Sequence, residues 1–74
     1  MIKLNDIQER LIEALKHSEL SQTELSSRIG VKQSQISCYL HGKKMPAIDT
    51  FANLCSILNL DANEILCLND LKKD

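Results

Sequence analysis

The sequence predicts an all-α fold of five helices, and three observations support this prediction. Apolar residues recur every three to four positions along most of the chain, as they do on one face of a helix. Residues that start or stop helices separate these periodic segments, and only 3% of residues are aromatic. Seventy-four residues form one domain at most and leave little room for a deep catalytic cleft. We therefore expect a single compact domain over residues 1–74, with its core at about 4–68 and a polar tail at 69–74.

The first two helices follow from an apolar stripe and a capping pattern. The first is expected from about Asn5, a suitable N-cap, to Lys16, and its core-facing stripe is Leu4, Ile7, Leu11 and Leu15. Ser21 followed three residues later by Glu24 is a capping box, so the second helix begins there. It turns Leu25 and Ile29 inward and ends at Gly30, which adopts a left-handed conformation without steric cost.

A third helix is expected from Gln33 to Leu40, separated from the second by only Val31 and Lys32. The two helices therefore form a helix–short turn–helix unit. Ile36 and Leu40 share its inner face, with Tyr39 adjoining. The opposite side carries Gln33, Ser34, Ser37 and Cys38. Eight residues span about 12 Å, close to the width of the DNA major groove.

Two further helices complete the predicted fold. Gly42 ends the third helix, and Pro46 cannot continue it. The fourth helix is expected from about Ile48 to Leu58, with an apolar side formed by Phe51, Leu54, Cys55 and Leu58. Asn59 is an acceptable left-handed stop, and Asp61 with Glu64 forms a second capping pattern for a short fifth helix through Cys67.

Charge is distributed unevenly along the chain although the net charge is only −1. Residues 25–48 carry four cations and no acid, for +4, whereas 1–24 carry −2 and 49–74 carry −3. A solvated charge run is the alternative interpretation of such a cluster. Its overlap with the third helix favours an anionic partner.

The polar side of the third helix has the chemistry needed to contact base edges. Glutamine can bond adenine through N6 and N7, lysine can reach guanine O6 and N7, and serine can donate or accept. We therefore consider Lys32, Gln33, Ser34 and Ser37 as base-reading candidates. Gln22 begins the second helix, where free N–H groups favour a phosphate. The alternative is that these residues only form a solvated helix face.

The stretch SQTELSSRIGVKQSQISCYLHGKKMPAIDTFANLCSILNLDANEIL, residues 21–66, resembles the lambda-repressor and Cro type (XRE) helix-turn-helix family. With a matching first helix, the resemblance covers about 60 of the 74 residues. It implies a lambda-repressor-like DNA-binding domain with the helix-turn-helix at helices two and three. It also implies phosphate contacts from Gln22, His41 and Lys43, with Lys44 beside them, and a groove-facing set of Gln33, Ser34, Ser37 and Cys38.

Three positions depart from the family pattern. Lys32 stands where many members have a serine or threonine N-cap, which removes a capping acceptor worth about 1 kcal/mol. Leu40 stands where many have a glutamate paired with a first-helix arginine, so we expect no such ion pair here. Cys38 replaces a common arginine, lysine or glutamine. The fold expectation is unaffected, but the operator sequence cannot be predicted.

The function expected from this resemblance is a sequence-specific transcriptional regulator, in particular a repressor, that binds duplex DNA as a homodimer on a pseudo-palindrome. Ile65, Leu68 and Leu71 are candidate dimer residues; alternatively, they close the monomer's core. The alternative function is a protein-interaction module, antitoxin-like or an adaptor, that uses the same fold without specific DNA binding. We expect no enzyme, because no Ser/His/Asp set, phosphate loop or carboxylate pair is present.

Cysteine and histidine spacing predicts neither a metal site nor a cofactor. Three cysteines are odd in number and form no C-x-x-C motif, and His17 lies far from His41. We expect reduced thiols, with Cys55 in the core and Cys38 exposed enough to oxidise. No apolar run suits a signal peptide or membrane span, so a cytoplasmic location is expected, without a membrane or small-molecule partner.

Overall fold

The computed structural model of this protein describes residues 1–69 and contains five helices in that range. They are α1 (Leu4–Lys16), α2 (Gln22–Ile29), α3 (Gln33–Leu40), α4 (Ile48–Leu58) and α5 (Ala62–Ile65). No strand occurs among the described residues. The all-α, five-helix prediction is confirmed.

The ends of α2 follow the local signals in the sequence. The Ser21 hydroxyl accepts the Glu24 N–H at 3.1 Å, and Glu24 Oε1 accepts the Ser21 N–H at 3.2 Å. At the other end Gly30 has φ of +85°, and the Val31 N–H reaches back to the Ser26 carbonyl at 3.1 Å. The predicted capping box and glycine stop are both confirmed.

Left-handed residues also end α3 and α4. Gly42 has φ of +72°, while the Lys43 N–H donates to the Cys38 carbonyl at 2.9 Å. Asn59 has φ of +55°, and the Leu60 N–H donates to the Cys55 carbonyl at 2.8 Å. These 6→1 bonds satisfy carbonyls that a helix end leaves unpaired. The bounds predicted for α3 and α4 therefore match the structure.

The start of α1 corrects two expectations. Lys3, not Asn5, is the N-cap; it has extended backbone angles and makes no side-chain capping bond. Leu4 is 64% exposed, so it does not face the core with the rest of its predicted stripe. Helical periodicity assigns a residue to a face but does not say how far along the helix the neighbouring helices reach.

Helix α5 is shorter than predicted. It ends at Ile65, and residues 66–68 form a turn in which Cys67 has φ of +65°. The Asp61 carboxylate caps the Asn63 N–H at 3.0 Å. A cysteine rarely adopts this left-handed conformation, so the sequence provided no sign of the stop.

The core lies where the helices converge. α3 packs against α2 and α1, α4 packs against α2, and α5 packs against α1. The four most completely buried side chains are Leu11, Leu25, Ile36 and Leu54. Because Leu25 and Ile36 hold α2 and α3 from inside, the polar sides of the two helices remain outside.

All three cysteines are free thiols, and two of them belong to the interior. Cys55 and Cys67 are buried, whereas Cys38 is half-buried. Burial raises the pKa of the Cys55 thiol, and the negative charge of Asp61 raises it further. Cys55 therefore stays protonated at neutral pH and is a small apolar core residue, as predicted.

Candidate nucleic-acid interface

Hydrogen bonds at the turn and buried side chains on both helices hold the helix-turn-helix unit together. Gly30 ends α2, and after the two-residue turn the Gln35 and Ile36 N–H groups donate to the Lys32 carbonyl, at 2.9 and 3.3 Å. Leu25 on α2 and Ile36 on α3 are 2% and 0% exposed. The exposed residues of α3 lie on the side of the helix away from these buried side chains.

The predicted base-reading residues share that outer side, with different exposure. Lys32, Gln33 and Ser34 are exposed, whereas Ser37 and Cys38 are half-buried. Lys32 makes no side-chain capping bond, and the first turn of α3 contains no acid. The N-terminal end of α3 therefore combines uncapped N–H groups with one cation, which suits an anion.

Gln22 is the first residue of α2 and is half-buried. The reciprocal bonds between Ser21 and Glu24 already occupy two backbone N–H groups at this helix start. A phosphate at α2 would therefore rely on the remaining N–H groups and on the Gln22 amide. This contact remains a prediction.

The segment after α3 presents three residues that could meet phosphates. His41, Lys43 and Lys44 are all exposed. The segment is held from α1, because Gln8 Nε2 donates to the Gly42 carbonyl at 3.1 Å. Gln8 is a positioning residue that the sequence did not reveal, since a single amide on α1 carries no signal of its partner 34 residues away.

A second unpredicted contact joins His41 to α3. The His41 Nδ1 lies 2.8 Å from the Ser37 carbonyl oxygen and 3.3 Å from the Ser37 hydroxyl. The imidazole is thereby folded back onto the last turn of α3. One phosphate candidate and one base-reading candidate are linked directly.

The three candidate dimer residues differ in burial and in whether the structure describes them. Ile65 is only 6% exposed and belongs to the hydrophobic core, because α5 packs on α1. Its assignment as a dimer residue is therefore corrected: Ile65 closes the monomer's core, the alternative considered from the sequence. Leu68 is 38% exposed, and Leu71 lies outside the described residues.

The surface away from α3 contains shallow grooves between α1 and the α4–α5 region. The larger groove has a volume of about 550 Å³ and is lined by both acidic and basic side chains, among them Glu13, His17 and Asp61. Within residues 1–69, no three acidic, histidine or cysteine side chains are arranged to hold a metal ion. None of the helices in this range has the length and apolar character needed to span a bilayer.

Comparison with known proteins identifies the chain at the level of its family. No curated protein and no solved structure matches it significantly. A family profile described as Helix-turn-helix domain matches residues 8–71, which includes nearly all of the described helices. Such domains are typical of DNA-binding regulators, and the match agrees with the resemblance noted in the sequence. This chain belongs to the Helix-turn-helix domain family.

Proposed function

We propose that this protein is a sequence-specific, duplex DNA-binding transcriptional regulator, and in particular a repressor that acts as a homodimer. The observation that carries the proposal is the outer face of α3. It is polar, its N-terminal residues are exposed, and it lies in the only part of the sequence that holds four cations without an acid. A surface of this kind complements the phosphate-lined major groove.

Different roles are proposed for the residues on this surface. Lys32, Gln33 and Ser34 would make the main base contacts, because they are the exposed members of the set, and the half-buried Ser37 and Cys38 would face the groove beside them. Gln22, His41, Lys43 and Lys44 would contact phosphates on either side. Phosphate contacts fix the register of the protein on the duplex, whereas base contacts select the sequence.

A homodimer is proposed because one short helix reads only about four or five base pairs. Two copies with their α3 helices, the proposed recognition helices, about 34 Å apart would read a pseudo-palindrome. Of the original candidates, exposed Leu68 is the described residue that stays available for this contact. Leu71 remains a candidate by sequence alone.

A protein-interaction module is the second candidate function. Its support is the acidic character of residues 1–24 and 49–74, which gives the whole chain a net charge of −1. Such a module would use the same fold without a specific operator. Domains of this family are typically not enzymes, and we propose no catalytic activity.

The decisive experiment is selection of bound duplexes from a random DNA pool by the purified chain at low ionic strength. We expect enrichment of one sequence with two-fold symmetry. Enrichment of an asymmetric site would reject the homodimer, and no enrichment would reject the regulator. Binding of a protein partner by a chain that enriches no duplex would favour the interaction module.

Replacing Gln33 by alanine should weaken binding to the selected operator by about 1–3 kcal/mol, because a bidentate base contact is lost. Binding to unrelated duplexes should be nearly unchanged. Gln35→Ala is the matched control, since Gln35 is the same residue type on the same helix but lies outside the proposed reading set. Equal losses on operator and unrelated DNA would mean that Gln33 does not read bases.

Replacing Lys43 by alanine should weaken binding to every duplex and flatten the logarithmic salt dependence by about one unit per site removed. Lys16→Ala provides the control, because Lys16 is an exposed cation in the last turn of α1, outside the proposed interface. A fluorescence-anisotropy titration at several salt concentrations measures both slopes. An unchanged slope for Lys43→Ala would contradict its phosphate role.

A further inference from the structure

We propose that His41 contacts a DNA phosphate only in its protonated form, so that DNA binding takes up a proton at each recognition helix. The proposal rests on the proposed DNA-binding function and on one hydrogen bond. His41 is exposed at the end of α3, yet its Nδ1 is held 2.8 Å from the Ser37 carbonyl oxygen. That bond decides which nitrogen is left to face the DNA.

The tautomer follows from the chemistry of the acceptor. A carbonyl oxygen can only accept, so Nδ1 must carry the hydrogen. A neutral imidazole has one N–H, and therefore its Nε2 presents a lone pair. A lone pair repels a phosphate oxygen, whereas an Nε2–H of the imidazolium donates to it with charge assistance. His41 can therefore bind phosphate from Nε2 only after gaining a proton.

No negatively charged side chain of the described residues stabilises the protonated form of His41. Lys43 and Lys44 follow it in the same segment, and the Cys38 thiol lies one turn back on α3. α1 approaches the segment through Gln8 and Ile12, which do not ionise. Among residues 1–69, no carboxylate forms an ion pair with His41. The anion that stabilises the imidazolium would be the DNA phosphate itself.

The same bond orients Ser37. Because the Nδ1 hydrogen points to the carbonyl, the Ser37 hydroxyl at 3.3 Å can only be a second, weaker acceptor from it. The hydroxyl hydrogen of Ser37 thus remains able to donate to a base acceptor such as guanine O6 or N7. His41 is in this sense a positioning residue for Ser37 as well as a phosphate contact.

A pH titration of DNA affinity tests the proposal, with His17 as a matched control. His17 Nδ1 likewise lies 2.8 Å from a carbonyl, that of Glu13, and also 3.4 Å from the Glu13 carboxylate, but it is at the end of α1 beside the α4–α5 grooves. The dissociation constant for one selected duplex should rise between about pH 5.5 and about pH 8, by at most about tenfold per pH unit for each protomer, because each DNA-bound His41 holds one extra proton. His17→Gln should retain this dependence, and His41→Gln should lose it.

A variant with a permanent positive charge at position 41 complements the neutral His41→Gln variant. His41→Arg should bind at about pH 8 as tightly as the unaltered protein does at about pH 5.5, without pH dependence. Nitrogen-15 chemical shifts of the free protein should show the neutral His41 with its hydrogen on Nδ1. Circular dichroism at each pH confirms that every variant remains folded.

The possible outcomes separate this inference from the proposed function. A pH dependence that survives in His41→Gln, or a neutral His41 with its hydrogen on Nε2, overturns the inference while specific DNA binding stands. Affinity for the duplex that does not change with pH also overturns it. Absence of binding to any duplex at any pH rejects the proposed function itself, and the inference with it.

Discussion

Ile36→Ala is expected to lower the free energy of unfolding by about 2–5 kcal/mol. Ile36 is 0% exposed and belongs to the helix that packs on both α1 and α2. Its loss would leave a cavity among core side chains that include Leu11, Leu25 and Leu54. A domain of 74 residues is stable by only about 4–11 kcal/mol at about 0.05–0.15 kcal/mol per residue. The substitution would therefore remove a large part of the total.

Ile48→Ala is the matched control for this prediction. It is the same chemical change, but Ile48 is 88% exposed at the first position of α4. We expect it to change stability by no more than about 0.5 kcal/mol. Urea unfolding followed by circular dichroism measures both variants. Similar free energies of unfolding for the two would show that Ile36 is not at the centre of the core.

Local capping chemistry explains why most helix bounds could be predicted from the sequence. Ser21 and Glu24 satisfy each other's backbone N–H groups, and Gly30 accepts a positive φ without strain. Asn59 does the same at the end of α4 with φ of +55°. In each case the residues that decide the boundary are neighbours along the chain, so the sequence alone contains the cause.

The sequence predictions are wrong where a contact with a distant part of the chain, or an unusual residue at a helix end, determines the local structure. Leu4 has the right spacing for the core stripe, yet it is 64% exposed because burial depends on what lies opposite the first turn. Cys67 takes a left-handed conformation that its residue type does not favour, and this closes α5 early. Ile65 is by its spacing either a dimer residue or a core residue, and the packing of α5 on α1 within the monomer makes it a core residue.

At the candidate interface, the sequence predicted which residues are exposed but not the hydrogen bonds that hold the neighbouring segment in place. The alternation of Ile36 with polar neighbours is sufficient to place Gln33 and Ser34 outside. The hydrogen bonds that hold the segment after α3 do not follow from such a pattern. Gln8 reaches Gly42 across the fold, and His41 turns back to Ser37 through a side-chain rotamer. Neither geometry has a sequence pattern that would reveal it.

Affinity for the selected duplex should fall by roughly 10³-fold or more between about 50 and about 200 mM salt, if a dimer makes about six phosphate contacts. Each neutralised phosphate releases condensed counterions, and added salt makes that release less favourable. Lys32, Lys43 and Lys44 are exposed cations of the proposed interface in each protomer, and Lys43 and Lys44 are the two assigned to phosphates. Titrations of the same duplex at four or more salt concentrations give the slope directly.

The salt dependence of DNA affinity distinguishes the two proposed functions, because it reflects the charge at the interface and not the net charge of the chain. A chain at −1 overall would bind DNA poorly if its charges were mixed, but Lys32, Lys43 and Lys44 lie in a segment, 25–48, that contains no acid. A double variant, Lys43→Ala with Lys44→Ala, should flatten the slope by about two units per protomer, whereas Lys3→Ala with Lys16→Ala should not. Affinity that changes by less than about tenfold over the same salt range would contradict phosphate recognition through this segment and favour the protein-interaction module.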